Sequence, residues 1–365
     1  MCTCAGLRAC AKTPPMTDIL IRGAGLLGTS LGLALSQTGA RTFLEDRDPG
    51  AVATAVGMGA GTDADCPAPE VVFVAVPPDQ IAREVAAALT RFPQATVSDV
   101  GSVKSEPIAA LAAVAADLSR YVGGHPMAGR EISGAAAGRG DLFEDRPWIL
   151  TPVADTDPQR VAQVSGLAQS THAVVRLMDA DEHDRAVALC SHAPQVVASL
   201  LAAQLLGASP ADVSVAGPGV RDTTRIAASD PDLWAQILLA NAEHVDAHMS
   251  RFADDVIAFR KALVGGDASG VRALLARGVE GRGMLPGKHG GEAADFVTVS
   301  VVIEDAPGQL AALFQRAGEA DVNLEDVRIE HTLGRLRAIA HLKVRPDSEQ
   351  RLRESLVTGG WHLRG

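Results

Sequence analysis

The stretch Gly23-Ala24-Gly25-Leu26-Leu27-Gly28 follows the apolar run Asp18-Ile19-Leu20-Ile21 and opens a helical pattern through Leu27, Leu31, Leu33 and Leu35 that stops near Gly39. Few sequence features restrict a fold so tightly, because each glycine has its own steric task. Gly23 permits the tight turn out of the strand, Gly25 lets backbone approach a pyrophosphate, and Gly28 lets helix and strand pack closely. The helix that begins there points free N–H groups at a phosphate. A second apolar run, Thr42-Phe43-Leu44, leads to Asp46, where a carboxylate hydrogen-bonds ribose hydroxyls and repels a 2′-phosphate. Strand, glycine turn, helix, strand and acidic residue together predict a dinucleotide-binding domain that takes NAD rather than NADP. Arg47 would suit the extra phosphate instead, and a turn-capping role is the alternative for Asp46.

Further apolar runs continue the pattern: Val71 to Val76, closed by Pro77-Pro78, then Thr96 to Val100, Tyr121 to Gly123, Trp148 to Leu150 and Ala173 to Leu177. Val76 and Pro77, at the end of the third run, join the cofactor side. Strands alternating with helices predict a doubly wound, mostly parallel α/β sheet of Rossmann type over residues 17–178. From Asp181 to about Gly278 the pattern is helical, with breaks expected at Pro194, at Gly207-Ala208-Ser209-Pro210 and at Gly217-Pro218-Gly219, and a new helix starting at Asp230-Pro231-Asp232. Residues 179–281 therefore form an all-helical domain, and the Gly- and base-rich residues 282–295 a linker. From Phe296 the order is strand, helix, strand, strand, helix, strand.

A net charge of -11 argues against nucleic acid or an anionic membrane as partner. An anionic substrate must then be held by locally placed arginines. Cys2, Cys4 and Cys10 crowd the start, leaving Cys66 and Cys190 for the body, which is neither a disulfide framework nor a metal-ligand set. Residues 1–16 read as a disordered leader, with Met16 as a possible true start, and they lack the apolar core of a secretory signal. No run of about 18 strongly apolar residues predicts a membrane span. A cytoplasmic protein is expected.

Gly123-Gly124-His125-Pro126-Met127-Ala128-Gly129 presents one histidine between glycines and a proline, so that backbone and imidazole are free to approach a substrate. A structural histidine is the alternative. Together with Asp99-Val100-Gly101-Ser102-Val103-Lys104, Ser191-His192-Ala193-Pro194-Gln195 and Asp222-Thr223-Thr224-Arg225-Ile226-Ala227, this run resembles the prephenate and arogenate dehydrogenases of tyrosine biosynthesis, from about Asp18 to about Gly281. The resemblance implies NAD-dependent oxidative decarboxylation of prephenate to 4-hydroxyphenylpyruvate, with arogenate as the alternative substrate. It assigns His125 to the substrate hydroxyl, Ser102 to orienting that hydroxyl beside the nicotinamide, and Arg225 to a substrate carboxylate. Arg221 would assist across a homodimer, and His192, Gln195 and Glu131 would face the substrate. Ser102 reads equally as a turn or helix cap, Arg221 as a solvated surface charge, and Trp234 as core or interface rather than site.

The sequence departs from the family pattern at two places. Gln195 stands where several prephenate-type members carry a second histidine, and Arg130-Glu131 follow the glycine-histidine run where many relatives have Thr-Glu. Both bear on the substrate side chain, a ketone in prephenate and an amine in arogenate. The last 70 residues, with Asp305-Ala306-Pro307-Gly308-Gln309-Leu310, resemble an ACT domain of ferredoxin-like fold, which implies a tyrosine effector held by Asp305, Pro307, Gly308 and Asn323. A dimerisation module is the alternative. Homoserine and phosphoglycerate dehydrogenases also pair a Rossmann domain with such a tail but lack the histidine and arginine runs; a non-catalytic nucleotide and amino-acid sensor would not need His125, Ser102 and Arg225.

Overall fold

The computed structural model of the chain describes residues 17–114, 117–129, 132–285, 296–331 and 337–364. The leader, Arg130, Glu131 and most of the expected linker lie outside them. Two compact units divide the chain, one up to Phe252 and one from Ala253.

In the first unit, β1 (Asp18–Arg22), β2 (Arg41–Glu45), β3 (Val71–Val74), β4 (Thr96–Asp99), β5 (Tyr121–Pro126), β6 (Pro147–Thr151) and β7 (Val174–Leu177) form one sheet in the order β2-β1-β3-β4-β5-β6-β7. β1 to β5 run parallel. β6 then pairs antiparallel with β5 and parallel with β7, which makes the sheet mixed at one edge. Alternation along the strands fills both faces: Ile19, Ile21 and Phe73 pack with Leu31 and Leu35 on one, while Leu20, Val72 and Val74 pack with Ile81, Val85 and Leu111 on the other. A sheet buried on both sides needs such apolar runs, and these strands supply them.

The chain leaves β1, turns to β2 on one side, then returns to β3 on the other, so a crevice opens at the carboxyl ends of β1 and β3. Gly23 there has φ +108°, and a Cβ on it would lie 2.2 Å from the Ala75 carbonyl oxygen. A Cβ on Gly28 would lie 1.8 Å from the Gly23 carbonyl oxygen. Neither position admits a side chain without moving the backbone.

Pro194 does not break its helix, contrary to the sequence expectation. Ala180–Val187 continues through a π-turn at Ala188–His192 into Ala193–Ala203. The proline has no N–H for the Cys190 carbonyl, and the wider turn just before it absorbs that loss, with the Ala193 N–H bonded to the Ala188 carbonyl. The whole run Ala180–Gly207 is long and apolar enough, by length and composition, to cross a membrane, with a mean hydropathy of 1.5 over its best window. It also carries the buried polar residues His183, Asp184, His192 and Gln195. Breaks do occur at Gly207 and Gly217, and Asp230 caps the helix Pro231–Ala240 through the Asp232 N–H at 2.9 Å.

In the second unit the helix Ala268–Gly283 runs two residues into the expected linker. β8 (Val297–Glu304), a helix (Gln309–Glu319), β9 (Asp326–His331), β10 (Arg337–Val344), a helix (Pro346–Thr358) and β11 (His362–Arg364) follow. Their antiparallel sheet has the order β11-β8-β10-β9, the ferredoxin-like arrangement of an ACT domain. Val299, Val301, Ile303, Leu342 and Val344 from the strands meet Leu313, Leu352 and Leu356 from the helices.

Candidate active site

A cleft of about 740 Å³ in the first unit is lined by Gly25, Leu26 and Leu27 after β1, Val76 and Pro77 after β3, Gly101 and Ser102 after β4, and His125 on β5. Its other wall is helical, from Cys190 to Gln195 and from Arg225 to Ile237. Nothing lies within 4 Å of where a Cβ on Gly25 would stand, which leaves open backbone at the amino end of the first helix. The first turn of that helix carries no acidic side chain. An anionic pyrophosphate fits this cradle without repulsion. Asp46 accepts the Ala24 N–H at 2.6 Å and the Asp48 N–H at 2.9 Å, so its carboxylate fastens the glycine turn from the end of β2. A carboxylate has lone pairs to spare for a ribose hydroxyl beyond those two bonds. Arg47 beside it is exposed.

His125 is 8% exposed and sits at the head of a hydrogen-bonded series that runs into the protein. Its Nδ1 lies 2.8 Å from His183 Nε2, and His183 Nδ1 lies 2.8 Å from Asp184 Oδ1. Asp184 also accepts the Lys104 N–H at 2.9 Å and the Ser105 N–H at 2.8 Å. Burial alone would raise the Asp184 carboxyl, but the bonds from His183, Ser105 and Lys104 outweigh it and hold it below its ordinary value. An ionised carboxylate only accepts, so His183 must donate from Nδ1. With both rings neutral, His183 Nε2 then accepts from His125 Nδ1–H, and the lone pair of His125 Nε2 is left for the cleft. Burial, reinforced by His183, Lys104 and His192, holds His125 well below the usual imidazole value, which keeps that ring neutral.

Lys104 is fully buried beneath this site, paired with Asp99 and donating to the Gly124 carbonyl at 2.7 Å. Asp99 also accepts from Tyr121 Oη at 2.6 Å and from the Gly101 N–H at 2.7 Å. The residue pair on either side of the peptide that precedes His125 is therefore pinned from below. Breaking a buried ion pair from one side costs about 3–5 kcal/mol, so Lys104 is a structural anchor for the β5 end.

Of the residues predicted for the substrate, Ser102, His192, Gln195 and Arg225 line the same cleft as His125. Arg225 begins a short helical turn and is largely exposed, while Arg221, one turn earlier, is exposed and outside the cleft lining. His192 is 1% exposed; its Nδ1 accepts from Asn241 Nδ2 at 3.1 Å. Burial takes His192 down to about 4, against the opposing pull of Asp184 and with His183 adding to it. Trp234, expected in a core or interface, instead lines the cleft with its ring edge-on to His192 at 6.0 Å. Glu131 lies outside the described residues.

The predicted effector residues do not meet within one chain. The Asp305-to-Gly308 turn follows β8 at the end where Glu304 pairs with Arg337, whereas Asn323 precedes β9 at the end where Asp326 pairs with Lys343. Six residue steps along β10 separate the two ends, roughly 20 Å. Asn323 donates to Glu325 at 3.0 Å, and Gly308 takes φ +89° at the start of its helix.

His183, Asp184, Asn241 and Lys104 were not singled out by sequence. His183 and Asp184 lie in Asp181-Glu182-His183-Asp184-Arg185, which reads as a solvated helix face; only the outer members are exposed.

Two stretches of the chain match the prephenate dehydrogenase family: residues 31–177 its nucleotide-binding domain and residues 179–277 its dimerization domain. A probable prephenate dehydrogenase of Streptomyces niveus is 32% identical over 359 residues, spanning 95% of this chain and 99% of that protein. The prephenate dehydrogenase of Bacillus subtilis is 28% identical over 352 residues, or 93% and 95% of the two. Among solved structures, the prephenate dehydrogenase of Aquifex aeolicus in complex with hydroxyphenyl propionate and NAD+ is similar with a TM-score of 0.66 at 29% identity, covering 74% of this chain and 99% of that one.

Proposed function

Because the chain belongs to the prephenate and arogenate dehydrogenase family, and is thus an NAD-dependent oxidoreductase acting on an aromatic-amino-acid precursor, we propose that it oxidatively decarboxylates a ring-hydroxylated cyclohexadienyl carboxylate in tyrosine biosynthesis. Prephenate would give 4-hydroxyphenylpyruvate, CO2 and NADH; arogenate would give tyrosine in the same step. The observation that carries this reading is His125, buried at the cleft with its Nδ1 held by His183.

Gly23 to Gly28, Asp46, Val76 and Pro77 would hold NAD, which would supply the hydride acceptor. His125 Nε2 accepts the hydrogen bond of the substrate's ring hydroxyl and so pushes electron density onto the carbon that loses hydride. Ser102, at the mouth of the β4 loop, orients that hydroxyl. The ring carboxylate leaves as CO2, and the electron pair of its broken C–C bond completes the aromatic ring. The proton drawn toward His125 stays with, or returns to, the phenol oxygen, so the reaction releases none. Aromatisation drives the sequence, and the protein's task is alignment and polarisation.

Arg225 holds the side-chain carboxylate through a guanidinium fork. Arg225→Ala should raise KM roughly 10- to 100-fold, the loss of a charged hydrogen bond of about 1.5–3 kcal/mol. Steady-state kinetics followed by NADH absorbance check it; a change confined to KM for NAD would move Arg225 to the cofactor.

In this reading residues 17–178 hold the cofactor, 179–281 hold the substrate and the contact between two copies, 282–295 connect, and 296–365 regulate a cytoplasmic homodimer. Exposed Leu200, Leu206, Val215 and Leu239 on the helical part support a contact surface. Tyrosine is the effector. Since the Asp305 turn and Asn323 stand at opposite ends of one sheet, they would form one pocket only between two copies. Titrating tyrosine into the full chain should lower activity, and a tenfold preference for the less active state, about 1.4 kcal/mol, suffices if the two states are comparably populated. A chain that responds to neither tyrosine nor phenylalanine would leave the ACT-like domain as a dimerisation module.

A further inference from the structure

We propose that this cleft selects the substrate whose side chain carries an ammonium group, the arogenate form, and that Gln195 is the residue that selects it; the proposal rests on the decarboxylating reaction above. Gln195 is 4% exposed, lines the cleft, and is fixed in one orientation. Its Nε2 donates to the Ile226 carbonyl at 3.0 Å and approaches Ser199 Oγ at 3.4 Å. A backbone carbonyl can only accept, so the NH2 end must point there. The carbonyl oxygen Oε1 is therefore the end of the amide left for a ligand.

The placement of that oxygen matters. Ile226 follows Arg225 directly, so the amide of Gln195 is tied to the same turn of backbone that carries the guanidinium. A substrate whose side-chain carboxylate sits on Arg225 brings the substituent on its α-carbon to the neighbourhood of Gln195. That substituent is a ketone oxygen in prephenate and an ammonium in arogenate. A ketone oxygen only accepts, and facing Oε1 it would leave two acceptors opposed and unpaired. An ammonium donates, and its bond to Oε1 is charge-assisted.

The surrounding wall points the same way. Asp230 and Asp232 line the cleft, and Gln236 in the same lining carries a buried Oε1 without a hydrogen-bond partner among the described residues. These oxygens favour a cationic donor over a second acceptor. His192, held neutral, adds no positive charge that would oppose an ammonium.

The test compares kcat/KM for arogenate and prephenate, each with saturating NAD, in the full chain and in Gln195→Leu and Gln195→Glu. The unaltered chain should prefer arogenate at least tenfold. Gln195→Leu should bring the two substrates within about threefold of each other by losing more arogenate activity than prephenate activity at unchanged NAD affinity, and Gln195→Glu, which keeps an acceptor, should keep the preference. If Gln195→Leu fails to fold, the ratio in the unaltered chain and in Gln195→Glu still decides. Equal or better use of prephenate by the unaltered chain overturns the proposal, as does a preference that survives in Gln195→Leu. Turnover of neither substrate would instead bring down the reaction itself, a distinct result.

Discussion

His125→Asn should lower kcat by ~10²–10⁴-fold while the affinity for NAD stays within about twofold, because the side chain acts on the substrate hydroxyl and not on the nucleotide. Asn keeps an amide group at the position of Nδ1 that can still bond His183; what it lacks is the basic ring nitrogen at the position of Nε2. Stopped-flow and steady-state kinetics, with NAD binding followed separately, check the split. Turnover within tenfold of the original would remove His125 from the chemistry. The pH dependence carries a sign of its own. The neutral imidazole is the working form, and burial together with His183, Lys104 and His192 holds its protonation well below the ordinary value of 6.5. As pH falls through 6.5 the ring therefore stays neutral, and kcat/KM should stay level there, declining only in more acidic solution. An inflection at 6.5 that disappears in His125→Asn would show an ordinary, solvated imidazole instead.

Asp184→Asn should be nearly as severe, on the order of 10³-fold in kcat, although the residue touches neither substrate nor cofactor. The backbone N–H groups of Lys104 and Ser105 both demand an acceptor at this carboxylate. Lys104 N–H and His183 Nδ1 share one carboxylate oxygen while the Ser105 N–H meets the other, so an asparagine cannot satisfy all three. With its NH2 on the side of Lys104 and His183 it would donate to His183 Nδ1 and reverse that ring's tautomer, whose Nε2–H would then donate to His125 Nδ1 and leave a proton rather than a lone pair on the nitrogen facing the substrate; with its NH2 against Ser105 it would replace the charged acceptor behind His183 by a neutral one. A wrong tautomer behind a catalytic histidine is known to cost about 10⁴ in another enzyme class. Asp184 is a positioning residue, so the informative readout is kcat with KM for NAD and thermal stability alongside it. A loss explained by unfolding alone, or a fall of less than tenfold in folded protein, would refute the relay.

The cofactor half of this enzyme was legible because its chemistry is a matter of backbone. Gly23 and Gly28 are required by contacts of 2.2 and 1.8 Å that any Cβ would make, and such demands leave the same residue types at the same spacing. His125 was legible for a similar reason, standing alone among glycines. The strand-helix order of the C-terminal domain followed from its change of period. The support behind His125 was not legible: His183 and Asp184 share a run of charge with exposed Asp181, Glu182 and Arg185, and only the angle at which that helix meets β5 decides which of the five is buried. Pro194 was read as a break because the rule concerns an ideal α-helix, and the π-turn beside it is not one. Asn323 and the Asp305 turn were grouped by type; the register of β10 separates them. Gln195 was visible as a departure, but which end of its amide faces a ligand depends on the Ile226 carbonyl, 31 positions away.

The π-turn at Ala188–His192 also sets the phase of its helix. His183 and Gln195 are twelve positions apart, and in an unbroken α-helix at about 100° per residue they would project roughly 120° from each other. A π-turn accommodates one residue beyond the α-helical count, so the twelve positions act as about eleven steps and the two side chains come to within roughly 20° of one azimuth. One continuous rod thereby turns the buttress of the base and the amide beside Arg225 toward the same side. Wound as ordinary α-helix without that wider turn, the same twelve positions would leave every atom of Gln195 intact, yet swing it about a quarter-turn or more away from the substrate. The extra residue works as an indexing notch that keeps proton handling and side-chain recognition aligned along a single shaft.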